Sequence, residues 1–172
     1  MASYFSAILK MNDYTKSRFS QSIIESLFNT VRSKRIAILG FAFKANTGDT
    51  RCSPAIHVAK CLLADGANLR IYDPKVSESQ MRRDLSTCDQ DNITVCDDEY
   101  EACKGCHAFV VCTEWPQFRF LDFERIYREM DKPAYAFDGR RILDMASLRT
   151  IGFHCEAVGR KTMKMEHILA PM

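Results

Sequence analysis

Arg35-Ile36-Ala37-Ile38-Leu39-Gly40 opens the stretch that decides the fold, which continues through a polar loop at 44–51 to Ser53-Pro54-Ala55-Ile56-His57-Val58-Ala59-Lys60-Cys61-Leu62-Leu63. The opening run is short, apolar and β-branched, and it closes on glycine, the pattern of a strand buried on both faces. Ser53 is a good helix N-cap residue, and Pro54 suits the first helical position because its missing N–H costs nothing there. Ile56, Ala59, Leu62 and Leu63 give the following helix one apolar side, and Asp65-Gly66 stops it.

The same alternation continues outward. Residues 69–72 read as a strand ending at the Asp73-Pro74 turn signal, 78–85 as a weak helix, 93–96 as a short strand and 99–103 as a helical turn. Residues 108–113 are the most apolar strand of the chain. Residues 121–130 form an amphipathic helix with Phe123, Ile126, Tyr127 and Met130 on one face. Strands at 134–137 and 153–158 complete the series. On the amino-terminal side, Phe19, Ile23, Ile24, Leu27, Phe28 and Val31 recur at spacings of three and four, predicting an amphipathic helix over 12–31. Strands alternating with helices over short loops predict an α/β fold with a doubly wound, mostly parallel, Rossmann-like sheet of about six strands, preceded by that helix. The expected division is a helical segment at 1–33, an α/β domain at 34–161 and a loose tail at 162–172.

The chain has 172 residues, 47% hydrophobic and 27% charged, enough apolar material for a real core. Its formal charge is only +2, which argues against a nucleic-acid or membrane-surface protein, whose basic footprint is concentrated. No apolar run is long enough to span a bilayer, and the first ten residues lack the pattern of a signal peptide, so a cytoplasmic protein is expected. The cysteines at 52, 61, 88, 96, 103, 106, 112 and 155 then read as reduced thiols. Cys103-Lys104-Gly105-Cys106-His107 matches the C-x-x-C-H haem-attachment pattern. However, it ends one helix and opens an apolar strand, with Gly105 placed as a C-cap, so coincidence is the better reading. No metal site is expected: the C-x-x-C half has no matching second half.

In an open parallel sheet, ligands bind beyond the carboxyl ends of the strands. The loop Gly40-Phe41-Ala42-Phe43-Lys44-Ala45-Asn46-Thr47-Gly48-Asp49-Thr50-Arg51 lies at such an end. It has neither the G-x-G-x-x-G nor the G-x-x-x-x-G-K-[ST] pattern. Lys44, Arg51, the Thr47 and Thr50 hydroxyls and a helix start at Ser53-Pro54 suit a phosphate or diphosphate, while a solvated loop with capped turns is the plainer alternative. Asp138-Gly139-Arg140-Arg141 offers two guanidinium groups at another strand end, either for an anion or for a surface salt bridge. Asp73 reads as a turn cap and Trp115 as a packed loop anchor. No Ser/His or Cys/His arrangement supports nucleophilic catalysis, so no catalytic residue is assigned.

Six stretches in order carry a resemblance: Met11-Asn12-Asp13-Tyr14, Ser26-Leu27-Phe28-Asn29-Thr30, Gly40-Phe41-Ala42-Phe43-Lys44 with Thr47-Gly48-Asp49-Thr50-Arg51, Ile71-Tyr72-Asp73-Pro74, Thr113-Glu114-Trp115 and Phe137-Asp138-Gly139-Arg140. Together they closely resemble the carboxyl-terminal, UDP-binding domain of the eukaryotic UDP-glucose 6-dehydrogenases. That family oxidises UDP-glucose to UDP-glucuronate with two NAD⁺ and a cysteine nucleophile. The resemblance implies that Phe43, Lys44 and Arg140 contact the UDP-sugar and that Arg51 reaches the NAD. It also implies that the Ser26–Thr30 region lies in a central helix supporting a homo-oligomer. The family's NAD-binding domain and nucleophile segment are not in this sequence, so the chain alone is expected to be catalytically incomplete. Cys52 stands where the family commonly has an acidic residue. Two other readings compete: a stand-alone nucleotide-sugar binding or regulatory module, and an assembly element whose exposed Phe19, Ile23, Leu27 and Phe28 pair with another copy.

Overall fold

In the computed structural model, which describes residues 2–159, the apolar runs become the middle of one sheet. Strand β1 (Arg35–Leu39) buries Ile36, Ala37, Ile38 and Leu39 completely, and β4 (Ala108–Val111) buries all four of its residues. Fully burying each Ile, Leu, Val or Phe side chain among them stabilises by about 1.5–3 kcal/mol. That makes β1 and β4 the centre of the core. On one side β1 pairs with β2 (Asn68–Tyr72), and β2 with β3 (Ile93–Val95). On the other, β4 pairs with β5 (Tyr135–Asp138), and β5 with β6 (His154–Ala157). Every pairing is parallel, and the order is β3-β2-β1-β4-β5-β6. The six-stranded, doubly wound sheet expected from the sequence is present.

The helices form where capping and periodicity place them. Ser53 caps α2 (Pro54–Ala64) by accepting from the Ala55 amide, and Asp65 closes it. Its buried residues are Ala55, Val58, Ala59 and Leu62, whereas Ile56 and Leu63 are only half-buried against the core. The inward face is therefore turned by one position from the expected one. Ser77 caps α3 (Glu78–Asp84), Asp98 caps α4 (Glu99–Cys103) and Asp122 caps α5 (Phe123–Glu129), each accepting a first-turn amide. Helix α6 (Met145–Ile151) has no counterpart in the sequence reading. Asp144 caps it with two amides, and Met145 and Leu148 are its buried residues.

Helix α1 runs from Ala2 to Ser26, so it stops earlier than the expected end at 31. Phe28 and Asn29 adopt left-handed backbone (φ 67° and 60°), which breaks the helical ladder while Val31 still reaches the core. The stretch 27–30 therefore follows the helix instead of lying inside it. Ser26 Oγ donates to Glu156 Oε2 at 2.9 Å, and the Val31 amide donates to Asp65 Oδ2 at 2.8 Å, fastening this corner to β6 and to the end of α2. A second correction concerns the face of α1. Phe19, Ile23 and Leu27 are buried in this chain's own core, so they are not free for another copy, whereas Phe28 is 68% exposed. The tail expected at 162–172 lies outside the described residues.

Candidate functional site

The loops after β1 and β4 leave the sheet in opposite directions, because β2 and β5 lie on opposite sides of the central pair. That reversal opens a crevice at their carboxyl ends, the usual place for a ligand in this architecture. The two loops touch at its base. Gly40 has φ +88°, and a Cβ built on it would lie 2.5 Å from the Thr113 Cβ and 2.8 Å from the Thr113 amide nitrogen, so only glycine fits. The Thr113 hydroxyl donates to the Ala42 carbonyl at 2.6 Å, and Ser53 Oγ donates to the same oxygen at 3.3 Å.

Asp73, at the end of β2 and 7% exposed, organises the floor. Its Oδ2 accepts from the amides of Phe41 (2.7 Å) and Ala42 (2.9 Å) and from the Trp115 indole (3.0 Å). Its Oδ1 accepts from the amides of Lys75 and Val76. The turn-cap reading of Asp73 and the anchor reading of Trp115 both hold, and the structure shows that they are one unit. Asp138, fully buried at the end of β5, does the same for its own turn, accepting from the amides of Arg140, Arg141 and Leu143.

These two carboxylates set the rim. Phe43 (46% exposed) and Lys44 stand on the loop after Ala42, which the Phe43 amide closes by donating to the Asp49 carbonyl. Arg140 reaches them from β5: its Nη2 donates to the Phe43 carbonyl at 2.7 Å and its Nε to the Cys112 carbonyl at 2.8 Å. Glu114 completes the knot, with Oε2 3.1 Å from Arg140 Nε and Oε1 accepting from the Ala45 amide at 3.4 Å. Phe43, Lys44 and Arg140 thus come together, and Glu114 is a member of the site that sequence reasoning passed over. Its only sequence signal was its place in Thr113-Glu114-Trp115.

Other groups named from the sequence lie outside this junction. Arg51 stands at the far end of the loop, 89% exposed, its Nε and Nη2 both bound to the Asp49 carboxylate. That bond to Arg51 holds the Asp49 carboxyl down at about 2. The hydroxyls read as phosphate ligands are turned to the protein: Thr47 Oγ1 accepts the Asp49 amide, and Thr50, 5% exposed, accepts from Gln80. The start of α2 is likewise covered, with Ser53 and Ala55 buried. Of the groups read as suiting an anion, Lys44 and Arg51 are therefore the exposed ones, whereas Thr50 and the start of α2 are covered. Arg141 is exposed on left-handed backbone, apart from the knot.

All eight cysteines are free thiols. Cys103 and Cys106 lie in the core, and burial pushes Cys106 up to about 12 and Cys103 well above the ordinary thiol range. Cys112, beneath the crevice, is pushed up by burial to about 12. Protonated thiols of this kind are poor nucleophiles.

A parallel sheet in this order, with cationic side chains gathered where the strand order reverses, places the chain among the doubly wound α/β domains of the Rossmann-like class. Comparison with known proteins narrows the class. The model of the UDP-glucose/GDP-mannose dehydrogenase family, UDP binding domain, matches residues 37–145, and the chain belongs to that family. UDP-glucose 6-dehydrogenase of Mus musculus is 52% identical over 170 residues, covering 94% of this chain and 34% of that protein. The Drosophila melanogaster enzyme is 53% identical over 169 residues, covering 94% and 36%. The chain spans about a third of the length of the curated relatives it matches. Among solved structures, a UDP-glucose dehydrogenase from Pyrobaculum islandicum superposes with a TM-score of 0.71 at 27% identity, covering 91% of this chain and 32% of that one. A Salmonella D-lactate dehydrogenase (TM-score 0.52, 12% identity) shares the fold alone.

Proposed function

We propose that this chain is the UDP-sugar-binding part of an NAD-dependent UDP-glucose 6-dehydrogenase, which converts UDP-glucose and two NAD⁺ to UDP-glucuronate, and that it is catalytically incomplete by itself. The observation that carries this reading is the junction of Arg140 with the Phe43 carbonyl beside Lys44, at the crevice of a domain whose family is defined by UDP binding. In this reading Lys44 and Arg140 neutralise the diphosphate, Arg140 by paired donors and Lys44 as a point charge. Phe43 supplies an exposed ring for the apolar part of the ligand.

NAD⁺ is the hydride acceptor of the proposed reaction. Among the described residues none form a cradle for it: the loop after β1 lacks the glycine pattern, and the start of α2 is covered. Arg51, 89% exposed at the far end of that loop, is the residue proposed to meet one of its phosphates, and no hydride step is assigned to this chain. In the proposed division, residues 34–161 are the UDP-binding unit and 1–33 a helical segment through which copies assemble. Exposed Met11, Tyr14 and Phe28 support that assembly role, and the uniformly free thiols support a cytoplasmic setting. Among the described residues no helix is long and apolar enough to cross a membrane.

The test is calorimetric titration of the chain with UDP-glucose, with NAD⁺ as control. Heat with UDP-glucose that falls at least tenfold in affinity in Lys44→Ala is expected, about the loss of one charged hydrogen bond. Absence of heat at millimolar ligand would remove binding as a property of this chain alone.

A further inference from the structure

We infer that Glu114 is a positioning residue of this site: it aims the guanidinium of Arg140 at the ligand's diphosphate. The inference rests on the UDP-sugar reading above and adds a residue to it. The protein uses one edge of Arg140, the side formed by Nε and Nη2, which bonds to the carbonyls of Cys112 and Phe43. The end-on fork of Nη1 and the second Nη2 hydrogen remains for a ligand, and that fork matches two oxygens of a phosphate. Those two carbonyls are neutral, so they hold the plane of the guanidinium without balancing its charge. Glu114 brings the opposite charge to the occupied edge, with Oε2 3.1 Å from Nε. The Nε hydrogen is taken by Cys112, and Oε2 is buried with no hydrogen bond of its own, so the guanidinium charge is what it faces.

The other oxygen makes the role specific. Oε1 accepts from the amide of Ala45, the residue after Lys44. One carboxylate therefore fixes both cations of the rim, Arg140 by charge and Lys44 through the backbone beside it. A carboxylate accepts at both oxygens, whereas an amide accepts at one and donates at the other. In Glu114→Gln, whichever way the amide turns, an NH₂ faces either Arg140 Nε or the Ala45 N–H.

The direction of the effect separates positioning from simple electrostatics. Removing a negative charge beside an anion site would, by Coulomb's law alone, tighten binding. A positioning role predicts the opposite. UDP-glucose titrations of the unsubstituted chain, Glu114→Gln, Arg140→Lys and the double variant decide between them. Glu114→Gln is expected to weaken binding about tenfold, the low end for loss of a charge-assisted contact. In the Arg140→Lys background, which has no fork to aim, the same change is expected to cost under about twofold. The Arg140 Nε–H signal in a ¹⁵N spectrum reports the holding of that edge without ligand: it is expected to exchange slowly in the unsubstituted chain and faster in Glu114→Gln. Equal or tighter binding by folded Glu114→Gln, an equal loss in both backgrounds, or an unchanged Nε–H signal would each overturn the inference while leaving UDP-sugar binding intact. An unsubstituted chain that takes up no UDP-glucose would bring down the reading and the inference together.

Discussion

Replacing Asp73 by Asn keeps the size of the side chain and removes half of its acceptors. Five donors converge on this carboxylate: the amides of Phe41 and Ala42 and the Trp115 indole on Oδ2, and the amides of Lys75 and Val76 on Oδ1. The Asn amide has one acceptor oxygen, so its NH₂ must face at least two of those donors wherever it is turned. The position is 7% exposed, so water replaces few of the lost bonds. At about 1–3 kcal/mol for each buried donor left unpaired, two of them cost about 2–6 kcal/mol, and loop relaxation favours the lower half, about 3 kcal/mol. For a chain of this length each kcal/mol is worth about 2–4 °C, so Tm should fall by about 6–12 °C. Trp115 is the single tryptophan of the chain, so its fluorescence reads both the unfolding curve and the state of the hub. Urea and thermal unfolding followed at its emission maximum should show the stability loss together with a red shift in the native spectrum. A loss below about 1 kcal/mol with the native emission unmoved would refute the claim that Asp73 holds the two loops together.

Gly40→Ala should destabilise by about 2–4 kcal/mol, combining left-handed strain with overpacking, because the new methyl meets Thr113 backbone at 2.8 Å; denaturant unfolding measures it. Thiol titration of the native chain at pH 8 should label exposed Cys52 first and spare Cys96, Cys103, Cys106 and Cys112, with mass spectrometry after proteolysis assigning the sites. Asp49 should titrate near 2 in the folded chain. Its carboxyl is lowered from 3.8 by Arg51, so the stabilisation is complete above the ordinary carboxylate range and disappears as pH falls through about 2. A carbon-detected NMR titration reads that midpoint, and Arg51→Ala should return it towards 3.8.

What the sequence made legible was set by local physics. The buried run Ile36–Leu39, the Ser53-Pro54 start and the Asp73-Pro74 turn each carry their signal within a few residues, and the strands and most helices followed from them. Helix α6 was missed because its packing rests on two buried residues, Met145 and Leu148, too few to show a period, and its cap, Asp144, resembled an ordinary loop acid. The end of α1 was overrun because Val31 keeps the helical spacing while Phe28 and Asn29 leave the helix through backbone angles that composition does not announce. The candidate site was half legible. Lys44 and Arg140 could be proposed from charge at strand ends, but the acids that hold them could not. Asp73 accepts from Lys75 and Val76 within its own turn, but its other donors, Phe41, Ala42 and Trp115, and the Ala45 amide that Glu114 accepts from, lie 31 to 69 positions away along the chain, and such pairings exist only once the sheet has closed.

The contact of Gly40 with Thr113 also says where this domain can change over evolutionary time. The two loops meet without room for a methyl group, so a residue inserted beside either position would displace the other loop as well. Length variation is expected where the chain hangs clear of that seam. The stretch carrying Phe120, 84% exposed, is such a place, whereas the arc at Gly48 lies against the Lys75 carbonyl, 3.0 Å from where a Cβ would stand. Descendants of this chain are therefore expected to differ in how far the Phe120 arm extends, while the junction beneath it stays as it is.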